Sequence, residues 1–356
     1  MILLPTASEY YQHLTTVFDE AIRLSRSAGA NPLRSNEFLI DPGGTAGRIR
    51  CTSDLLQDRL LAPLVHLLAA PGQQAAGFTV DWVDASGYTS AWEEMPWLPQ
   101  RRSAEQGTSE YLDPPYLFTA HGNDVLTGLD LTNGRTIAVV RSASDWSPDH
   151  YHQSIFITLY QHLRQRGFHL IHAAAVGVNG RVVLLTGASG SGKTTTMLSC
   201  IRRGFEFYSD DATLLRRTGS GGIEAVSLLG TINITAQTLA WFPELEHAAA
   251  PVANRTGKRL AMINAVYPGQ AARRGEVAAI LVPEITGQPG TSLARIGRSD
   301  VLSAVLPFSL DLHDPAAARR QLDFLVEAVE VIPCYRLRLG NDLSEVPRFL
   351  EEFLTR

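Results

Sequence analysis

Alternating apolar and polar positions in the first part of the chain predict a sheet with a few helices. The segment FTVDWV places Phe78, Val80 and Trp82 on one face of a strand, because successive side chains of a strand point to opposite faces. VFDEAIRL and LLAPLVHLLA repeat apolar residues at helical spacing. Further strands are predicted at YLFTA, DVLTGLD and TIAVV, and Asn133-Gly134 joins the last two in a hairpin. This part of the chain is therefore expected to be mixed α and β.

The pattern breaks at residues 96–115, where prolines and charged residues replace the apolar positions and predict an exposed loop. A helix is expected from about Pro148 to Arg166, and the glycine that follows is positioned to end it. We place the domain boundary before this helix, so that residues 1–147 form one domain and residues 148–356 form another. Near the end, AAARRQLDFLVEAVEV and SEVPRFLEEFLTR are predicted as amphipathic helices packed on the second domain.

Composition and charge narrow the class of protein. Of the 356 residues 45% are hydrophobic, which allows a sizeable core and suggests two domains more readily than one. The formal charge of −5 argues against a general nucleic-acid binder, and no apolar run approaches the roughly 18 residues of a membrane span. The opening MILLP is too short for a signal sequence, so we expect a cytoplasmic protein with no nucleic-acid or membrane partner. Cys51, Cys200 and Cys334 lack disulfide or zinc spacing and are expected to be buried.

The most informative motif is GASGSGKT at residues 187–194, between the apolar strand RVVLLT and the predicted helix TTTMLSCIRR. Glycines allow backbone conformations that are closed to other residues and bring N–H groups close to phosphate oxygens, so the loop predicts an anion cradle. Its lysine supplies positive charge to the outer phosphates, and the hydroxyl that follows can bind Mg²⁺. The cofactors are then ATP or GTP, with Mg²⁺. The residues expected to bind the nucleotide are Gly187, Ser189, Gly190, Ser191, Gly192, Lys193, Thr194 and Thr195.

The strand before this loop is the second arm of a hairpin. HAAAVGV and RVVLLT are separated by Asn179-Gly180, the preferred pair for a two-residue turn. In most phosphate-loop enzymes the strand before the loop lies in a parallel βαβ unit. An antiparallel hairpin at this position therefore limits the phosphate-loop families to which the chain can belong. The hairpin places His172 near the loop, although a lone histidine in an apolar strand is more often a packed core residue. His169 lies three residues before it and should face the opposite side, which argues against a zinc site.

Two adjacent acids, Asp210 and Asp211, end the short strand FEFYSDD. Phosphate-loop enzymes need a carboxylate there to hold Mg²⁺ or its waters, and a kinase also needs a base for the proton of the substrate hydroxyl. Because neighbouring side chains at a strand end point to opposite sides, we assign the acids different tasks. Asp211 is predicted to be the base, while Asp210 and Thr194 are predicted to bind the metal. The alternative is that either acid only opens the turn into TLLRR.

Basic residues gather between Pro251 and Glu276 in an otherwise acidic chain. Guanidinium groups suit the charge that develops on a transferred phosphoryl group, although a solvated loop face accounts for the same residues equally well. Gly257 makes this loop mobile enough to close over a substrate, so the cations beside it are preferred. The cluster consists of Arg255, Lys258, Arg259, Arg273 and Arg274. Arg255, Lys258 and Arg259 are the preferred residues, and Arg255 and Arg259 are predicted to be catalytic.

From about Phe168 to Arg217 the chain resembles the HPr kinase/phosphorylase family, whose catalytic domain is related to phosphoenolpyruvate carboxykinase. IHAAAVGVNGRVVLLTGASGSGKT is similar to that family's histidine, hairpin and phosphate loop, and RRGFEFYSDDATLL is similar to its glycine, strand and paired acids. Lys193 follows His172 by 21 residues and Asp210 follows Lys193 by 17, and both intervals match the family. The resemblance implies an α/β fold, with an HPr kinase and phosphoenolpyruvate carboxykinase-like P-loop kinase core behind a mixed α+β N-terminal domain.

The same resemblance implies roles for single residues. Lys193 and Thr194 would handle the phosphates and Mg²⁺, the acid pair would supply metal binding and the base, and His172 would lie beside the transferred phosphoryl group. IEAVSLLGTINIT lacks the family's segment rich in Glu, Arg and Gly that is linked to phosphorylase activity, so dephosphorylation is not implied. The longer N-terminal half and VIPCYRLRLGNDL look more like divergent HPr kinase-related proteins, some of which phosphorylate a serine of a lasso-peptide precursor.

The sequence therefore predicts Mg²⁺-dependent phosphoryl transfer from a nucleoside triphosphate to a serine-type hydroxyl of a peptide or protein, with a lasso-peptide precursor as the leading acceptor class. Two alternatives are a kinase for a free amino acid or other small molecule, and a nucleotide-gated regulatory protein that transfers nothing. The N-terminal domain is expected to recognise the substrate, since it contains no phosphate-handling motif. The sequence leaves the number of subunits open, a homo-oligomer included.

Overall fold

The computed structural model describes residues 6–27, 37–70, 76–87, 108–251, 256–310 and 314–355. The chain divides into two compact units, Met1–Leu163 and Arg164–Arg356. Each unit combines helices with β-strands, so the fold is mixed α/β. Among the described residues, no helix is long and apolar enough to cross a membrane.

The first unit is built on a sheet that contains seven strands of the described residues. They are β1 (Glu37–Ile40), β2 (Gly47–Cys51), β3 (Phe78–Asp84), β4 (Thr108–Asp113), β5 (Tyr116–His121), β6 (Val125–Asp130) and β7 (Arg135–Val140). Their order in the sheet is β1-β2-β3-β7-β6-β5-β4. β3 is parallel to both of its neighbours, and the other pairs are antiparallel. The predicted strand at FTVDWV and the hairpin at Asn133-Gly134 are thereby confirmed.

The predicted exposed loop at residues 96–115 is wrong in part. Thr108–Asp113 forms β4, which pairs along its whole length with β5. Only Ser109 of this edge strand is buried, and Leu112 is exposed, so the strand lacks the apolar alternation that would have revealed it. Residues 96–107 of the predicted loop lie outside the described residues.

Three helices within the described residues pack in the first unit: α1 (Ala7–Ser27), α2 (Asp54–Leu64) and α3 (Pro148–Arg164). The helix predicted from Pro148 exists, and all of its residues except the last, Arg164, belong to the first unit. The His162 ring stacks on Phe78 at a centroid distance of 4.5 Å and shares a hydrogen bond of 2.8 Å with Thr136 Oγ1. The chain therefore divides after Leu163 and not before Pro148, because the partner of an amphipathic helix is decided by tertiary packing that its own pattern does not show.

The main sheet of the second unit has the strand order β11-β9-β10-β16-β13-β12-β8. Its strands are β8 (His169–Ile171), β9 (Ala173–Val178), β10 (Arg181–Thr186), β11 (Glu206–Ser209), β12 (Thr213–Arg217), β13 (Ile223–Val226) and β16 (Arg274–Ile285). Two further strands, β17 (Ser292–Arg295) and β18 (Cys334–Leu339), extend it, since β18 pairs with both β16 and β17. A separate antiparallel ribbon is formed by β14 (Thr231–Ile234) and β15 (Arg259–Met262).

Five strands of this sheet run in the same direction. One is β12, which is antiparallel to β13, itself antiparallel to β16, and the other four end close together. β10, β16 and β18 are mutually parallel, and β11 joins them because it is antiparallel to β9, which is itself antiparallel to β10. Their C-terminal ends, Ser209, Thr186, Ile285 and Leu339, therefore lie at one edge of the sheet, which we call the carboxyl edge. In open α/β sheets ligands bind outside the carboxyl ends of the strands.

Helices cover both faces of this sheet. Within the described residues they are α4 (Lys193–Arg202), α5 (Ala236–Trp241), α6 (Ile263–Val266), α7 (Arg298–Ser309), α8 (Pro315–Val331) and α9 (Glu345–Thr355). Met197 and Leu198 of α4 share a core with Leu350 of α9, whereas Val305 of α7 and Phe324 of α8 share the core on the other face. The helices predicted after the glycine-rich loop and near the end of the chain are confirmed.

All three cysteines are free thiols. Cys51 and Cys200 are buried as predicted. Cys334 is only partly buried, because it begins β18 at the edge opposite the carboxyl edge.

Candidate functional site

The hairpin of β9 and β10 brings His172 to the start of the glycine-rich loop. Its turn is tight because Asn179 and Gly180 have φ values of 52° and 75°, the left-handed values that a two-residue turn requires. Thr186, the last residue of β10, pairs with Ala173 and donates from Oγ1 to the main-chain oxygen of His172 at 3.0 Å. His172 therefore lies beside the point where the chain leaves the sheet and enters the loop.

The loop contains three glycines with positive φ: 138° at Gly187, 82° at Gly190 and 101° at Gly192. Residues other than glycine rarely adopt such φ values, so the three glycines allow the backbone to follow this path. A Cβ atom on Gly192 would also come within 2.9 Å of Leu339 Cδ1. Because Gly192 directly precedes α4, the loop ends at the positive end of a helix, which favours anions.

Lys193 folds back over the loop. Its Nζ donates to the main-chain oxygens of Gly187 at 2.7 Å and Ala188 at 3.1 Å, and the residue is only 7% exposed. Burial lowers the pKa of the Lys193 ammonium, and the carboxylates of Asp211 and Asp210 oppose that shift. The lysine is thus held against the loop by carbonyl oxygens that phosphate oxygens can replace.

The other residues predicted to bind the nucleotide line the loop and the first turn of α4. Ser189 is exposed, while Thr194 and Thr195 are half-buried. The Ser191 hydroxyl is buried, and it has no hydrogen-bond partner within the part of the chain that the structure describes. Leaving a buried hydroxyl unpaired costs about 1–3 kcal/mol. This atom therefore fits an oxygen ligand bound in the loop.

Asp210 lies against the first turn of α4 from the side of β11. Its carboxylate accepts hydrogen bonds from Thr194 Oγ1 at 3.1 Å and from the main-chain N–H of Asn233 at 2.8 Å. The residue is 4% exposed, and burial together with the charge of Asp211 raises the pKa of its carboxyl to about 7. A buried anion of this kind is stabilised by a bound cation.

Asp211 has different surroundings from Asp210. Its side chain is 32% exposed, and Lys258 Nζ lies 4.0 Å from Oδ2. The His172 side chain lies near the main chain of Asp211. Burial lowers the pKa of the His172 imidazole, and the negative charge of Asp211 opposes that shift. Lys193, Lys258 and the acid pair thus form one charged cluster beside the loop, and the His172 imidazole lies next to it.

Arg259, which was predicted to be catalytic, forms its hydrogen bonds outside this cluster. Its guanidinium donates to Glu246 Oε1 at 2.8 Å and to the main-chain oxygen of Ala250 at 2.7 Å. These acceptors hold the side chain on the segment that precedes β15. The neighbouring lysine, Lys258, also preferred from the sequence, lies with Lys193 beside the acid pair.

The remaining basic residues do not gather at the loop. Arg273 and Arg274 stand at the start of β16, which is parallel to β10, so they lie at the edge opposite the carboxyl edge. Six residues of β10 separate the two edges, which is about 20 Å at the rise of a strand. Arg255, the other predicted catalytic arginine, lies outside the described residues.

The oxygen atoms beside the loop suit Mg²⁺. Mg²⁺ prefers oxygen ligands and is typically held by one or two protein groups together with waters and substrate phosphates. The Thr194 hydroxyl and the Asp210 carboxylate lie side by side and supply such oxygens. Among the described residues, no group of three or more His, Cys, Asp and Glu side chains is placed to hold a metal ion. His169 instead stacks on Phe324 at a centroid distance of 4.1 Å.

Two contacts of the site were missed from the sequence. One is the Asn233 N–H group on Asp210, and the other is the Ser309 hydroxyl, which accepts a hydrogen bond from the main-chain N–H of His172 at 2.9 Å. Their partners are 23 and 137 residues away along the chain. Neither segment carries a phosphate-binding pattern, so no local signal could have shown these contacts.

Comparisons with known proteins give limited matches. The family described as SynChlorMet cassette protein ScmC matches residues 149–249, a segment that contains the glycine-rich loop and both aspartates. None of the curated proteins matches the chain. A solved structure of the Hpr(Ser) kinase/phosphatase from Coxiella burnetii is 15% identical, and the match covers 52% of this chain and 93% of that chain at a TM-score of 0.29. Too little geometry is shared at that score to carry residues from one structure to the other.

Proposed function

We propose that the second unit is a Mg²⁺-dependent kinase that transfers the terminal phosphoryl group of a nucleoside triphosphate to a serine-type hydroxyl. The observation that carries the proposal is the contact between Thr194 and Asp210. It connects a glycine-rich loop suited to bind phosphates with a pair of acids, one suited to bind a metal ion and the other to act as a base. The proposed core is a P-loop kinase core of the HPr kinase and phosphoenolpyruvate carboxykinase type.

The loop is proposed to hold the phosphates. Its main-chain N–H groups and the positive end of α4 attract the phosphate oxygens. Lys193 exchanges its bonds to two carbonyl oxygens for stronger, charge-assisted bonds to the outer phosphates. The Ser191 hydroxyl, which has no hydrogen-bond partner among the described residues, gains one from a phosphate oxygen.

The acid pair is proposed to divide metal binding from proton transfer. Thr194 and Asp210 would hold Mg²⁺, which would offset the negative charge of the substrate phosphates when bound. Asp211 accepts the proton of the acceptor hydroxyl while the oxygen of that hydroxyl bonds to the γ-phosphorus. The bond from that phosphorus to the β,γ-bridging oxygen breaks, and the nucleoside diphosphate leaves. Lys258 supplies a second positive charge beside Lys193.

The acceptor is proposed to be a serine of a peptide or protein, such as a lasso-peptide precursor, recognised by the first unit. The test uses the full chain with γ-labelled ATP, Mg²⁺, precursor peptides, matched Ser→Ala peptides and free serine. Acid-stable label only on the serine-containing peptides is the expected result. Label on free serine would favour a small-molecule kinase, and label released only as inorganic phosphate would favour a nucleotide-gated regulatory protein.

Asp210→Asn is expected to raise the Mg²⁺ concentration needed for half-maximal transfer by about tenfold, because it removes the charge of one metal ligand. Added Mg²⁺ should restore part of the rate, since the Thr194 hydroxyl and the phosphates still bind the ion. A Mg²⁺ titration of initial rates measures the effect. An unchanged titration would remove Asp210 from the metal site.

Lys258→Gln is expected to lower kcat about 10- to 100-fold, because it removes a positive charge near the transferred group. The matched control is Arg274→Gln, which removes an exposed cation from the opposite edge of the same sheet. Steady-state rates of both variants, with ATP varied, give kcat and KM. Equal effects of the two substitutions would show that only the net charge of the protein matters.

A further inference from the structure

An apolar side chain is exposed beside the glycine-rich loop. Ile285, the last residue of β16, is 66% exposed, more than any other large hydrophobic residue among those described. Exposed apolar area costs about 25 cal/mol per Å² relative to burial. Ile285 therefore offers a ligand a favourable contact at the carboxyl edge.

The exposure follows from where α4 begins. Ala279 and Leu281 of β16 point into the core beneath α4, and Ile285 continues their alternating row toward the carboxyl edge. Leu339, its pair on β18, is buried at 6% exposure. A Cβ on Gly192 would lie 3.7 Å from Ile285 Cγ1, so the isoleucine borders the end of the loop. Because α4 begins only after Gly192, this helix does not cover the Ile285 side chain.

Ile285 lies on the other side of the loop from the acid pair. The strand order β11-β9-β10-β16 places Asp210 and Asp211 after β11 on one side of β10, and Ile285 at the end of β16 on the other. A triphosphate whose terminal group faces the acid pair must extend its other end away from β11. That direction leads over the loop toward β16.

We propose that Ile285 is the contact surface for the nucleoside of the bound triphosphate. The inference rests on the proposed function, and it adds the direction in which the nucleotide lies. The aliphatic side chain packs against the flat face of the base, a contact that buries apolar surface on both partners. The small Gly192 lets the ligand cross from the loop to Ile285 without a side chain in its path.

The test compares Ile285→Ser with wild type by titration calorimetry of the full chain with Mg²⁺ and either ATP or tripolyphosphate. Tripolyphosphate reports the loop alone, because it lacks the nucleoside. The serine variant is expected to bind ATP about tenfold more weakly and tripolyphosphate as wild type does. Ile285→Leu should keep most of the ATP affinity. Val331→Ser is the control, since Val331 is 57% exposed where α8 ends, before β18 begins at the opposite edge.

Three results would overturn the inference. The ATP affinity of Ile285→Ser could equal that of wild type, or its tripolyphosphate affinity could fall as far as its ATP affinity, which would place the effect on the loop. Self-association of wild type that the serine substitution abolishes, with unchanged ATP affinity, would assign Ile285 to an interface between copies. A wild-type chain that binds neither ATP nor tripolyphosphate would refute the proposed function itself. This result differs from the three above, which refute only the contact between Ile285 and the nucleoside.

Discussion

Lys193→Ala is expected to lower phosphoryl transfer by at least about 10²- to 10³-fold, the cost of losing one preorganised charged donor. The lysine lies against the loop at Gly187 and Ala188, where its ammonium group is ready to contact the outer phosphates. Alanine also removes the charge-assisted bonds that the lysine is proposed to make to the outer phosphates, so ATP affinity should fall as well. Initial rates at saturating Mg²⁺ and ATP titrations measure the two effects.

The control for this variant is Arg181→Ala, which removes an exposed cation from the other end of β10. Its transfer rate should stay within about twofold of wild type, because exposed charges that far apart are largely screened. Thermal unfolding of both variants checks that the sheet is intact. Wild-type turnover by a folded Lys193→Ala protein would contradict the assignment of the loop.

Asp211→Asn is expected to lower the transfer rate about 10²- to 10⁴-fold while nucleotide affinity stays nearly normal, because an amide cannot accept the proton of the acceptor hydroxyl. Asp211 is the more exposed acid of the pair and faces Lys258, whereas Asp210 faces Thr194. Single-turnover rates at saturating Mg²⁺, with calorimetry for ATP binding, separate the chemical step from binding.

The comparison with Asp210→Asn decides whether the acids divide their tasks. Added Mg²⁺ should restore part of the rate in Asp210→Asn and none of it in Asp211→Asn. Identical rates and identical Mg²⁺ titrations for the two variants would refute the division. Near wild-type rates for both would remove the kinase mechanism.

The parts of the site that could be predicted are encoded locally. The hairpin turn needs only Asn179 and Gly180 in left-handed conformations, and the loop needs glycines that permit positive φ immediately before a helix. Such requirements are met by neighbouring residues, so a short stretch of sequence displays them. The position of the acid pair at a strand end was visible for the same reason.

The parts that could not be predicted depend on tertiary packing. Lys258 and Arg259 are adjacent in sequence, yet one faces Asp211 and the other is bound by Glu246 and Ala250. The approach of Leu339 and Ile285 to the loop joins segments that are far apart along the chain. Neither arrangement leaves a periodic or compositional trace, because each is decided by how separate elements pack.

The fate of each phosphate of ATP tests the central claim most directly. Wild type and Lys193→Ala would be incubated in parallel with γ-labelled and α-labelled ATP, Mg²⁺ and the serine peptides. We expect γ-label on the serine peptide with wild type, no incorporation of α-label, and at least about 10²-fold less labelled peptide with the variant. ATP left intact by wild type, γ-label released only as inorganic phosphate, or α-label transferred to the acceptor would contradict the proposed phosphoryl transfer.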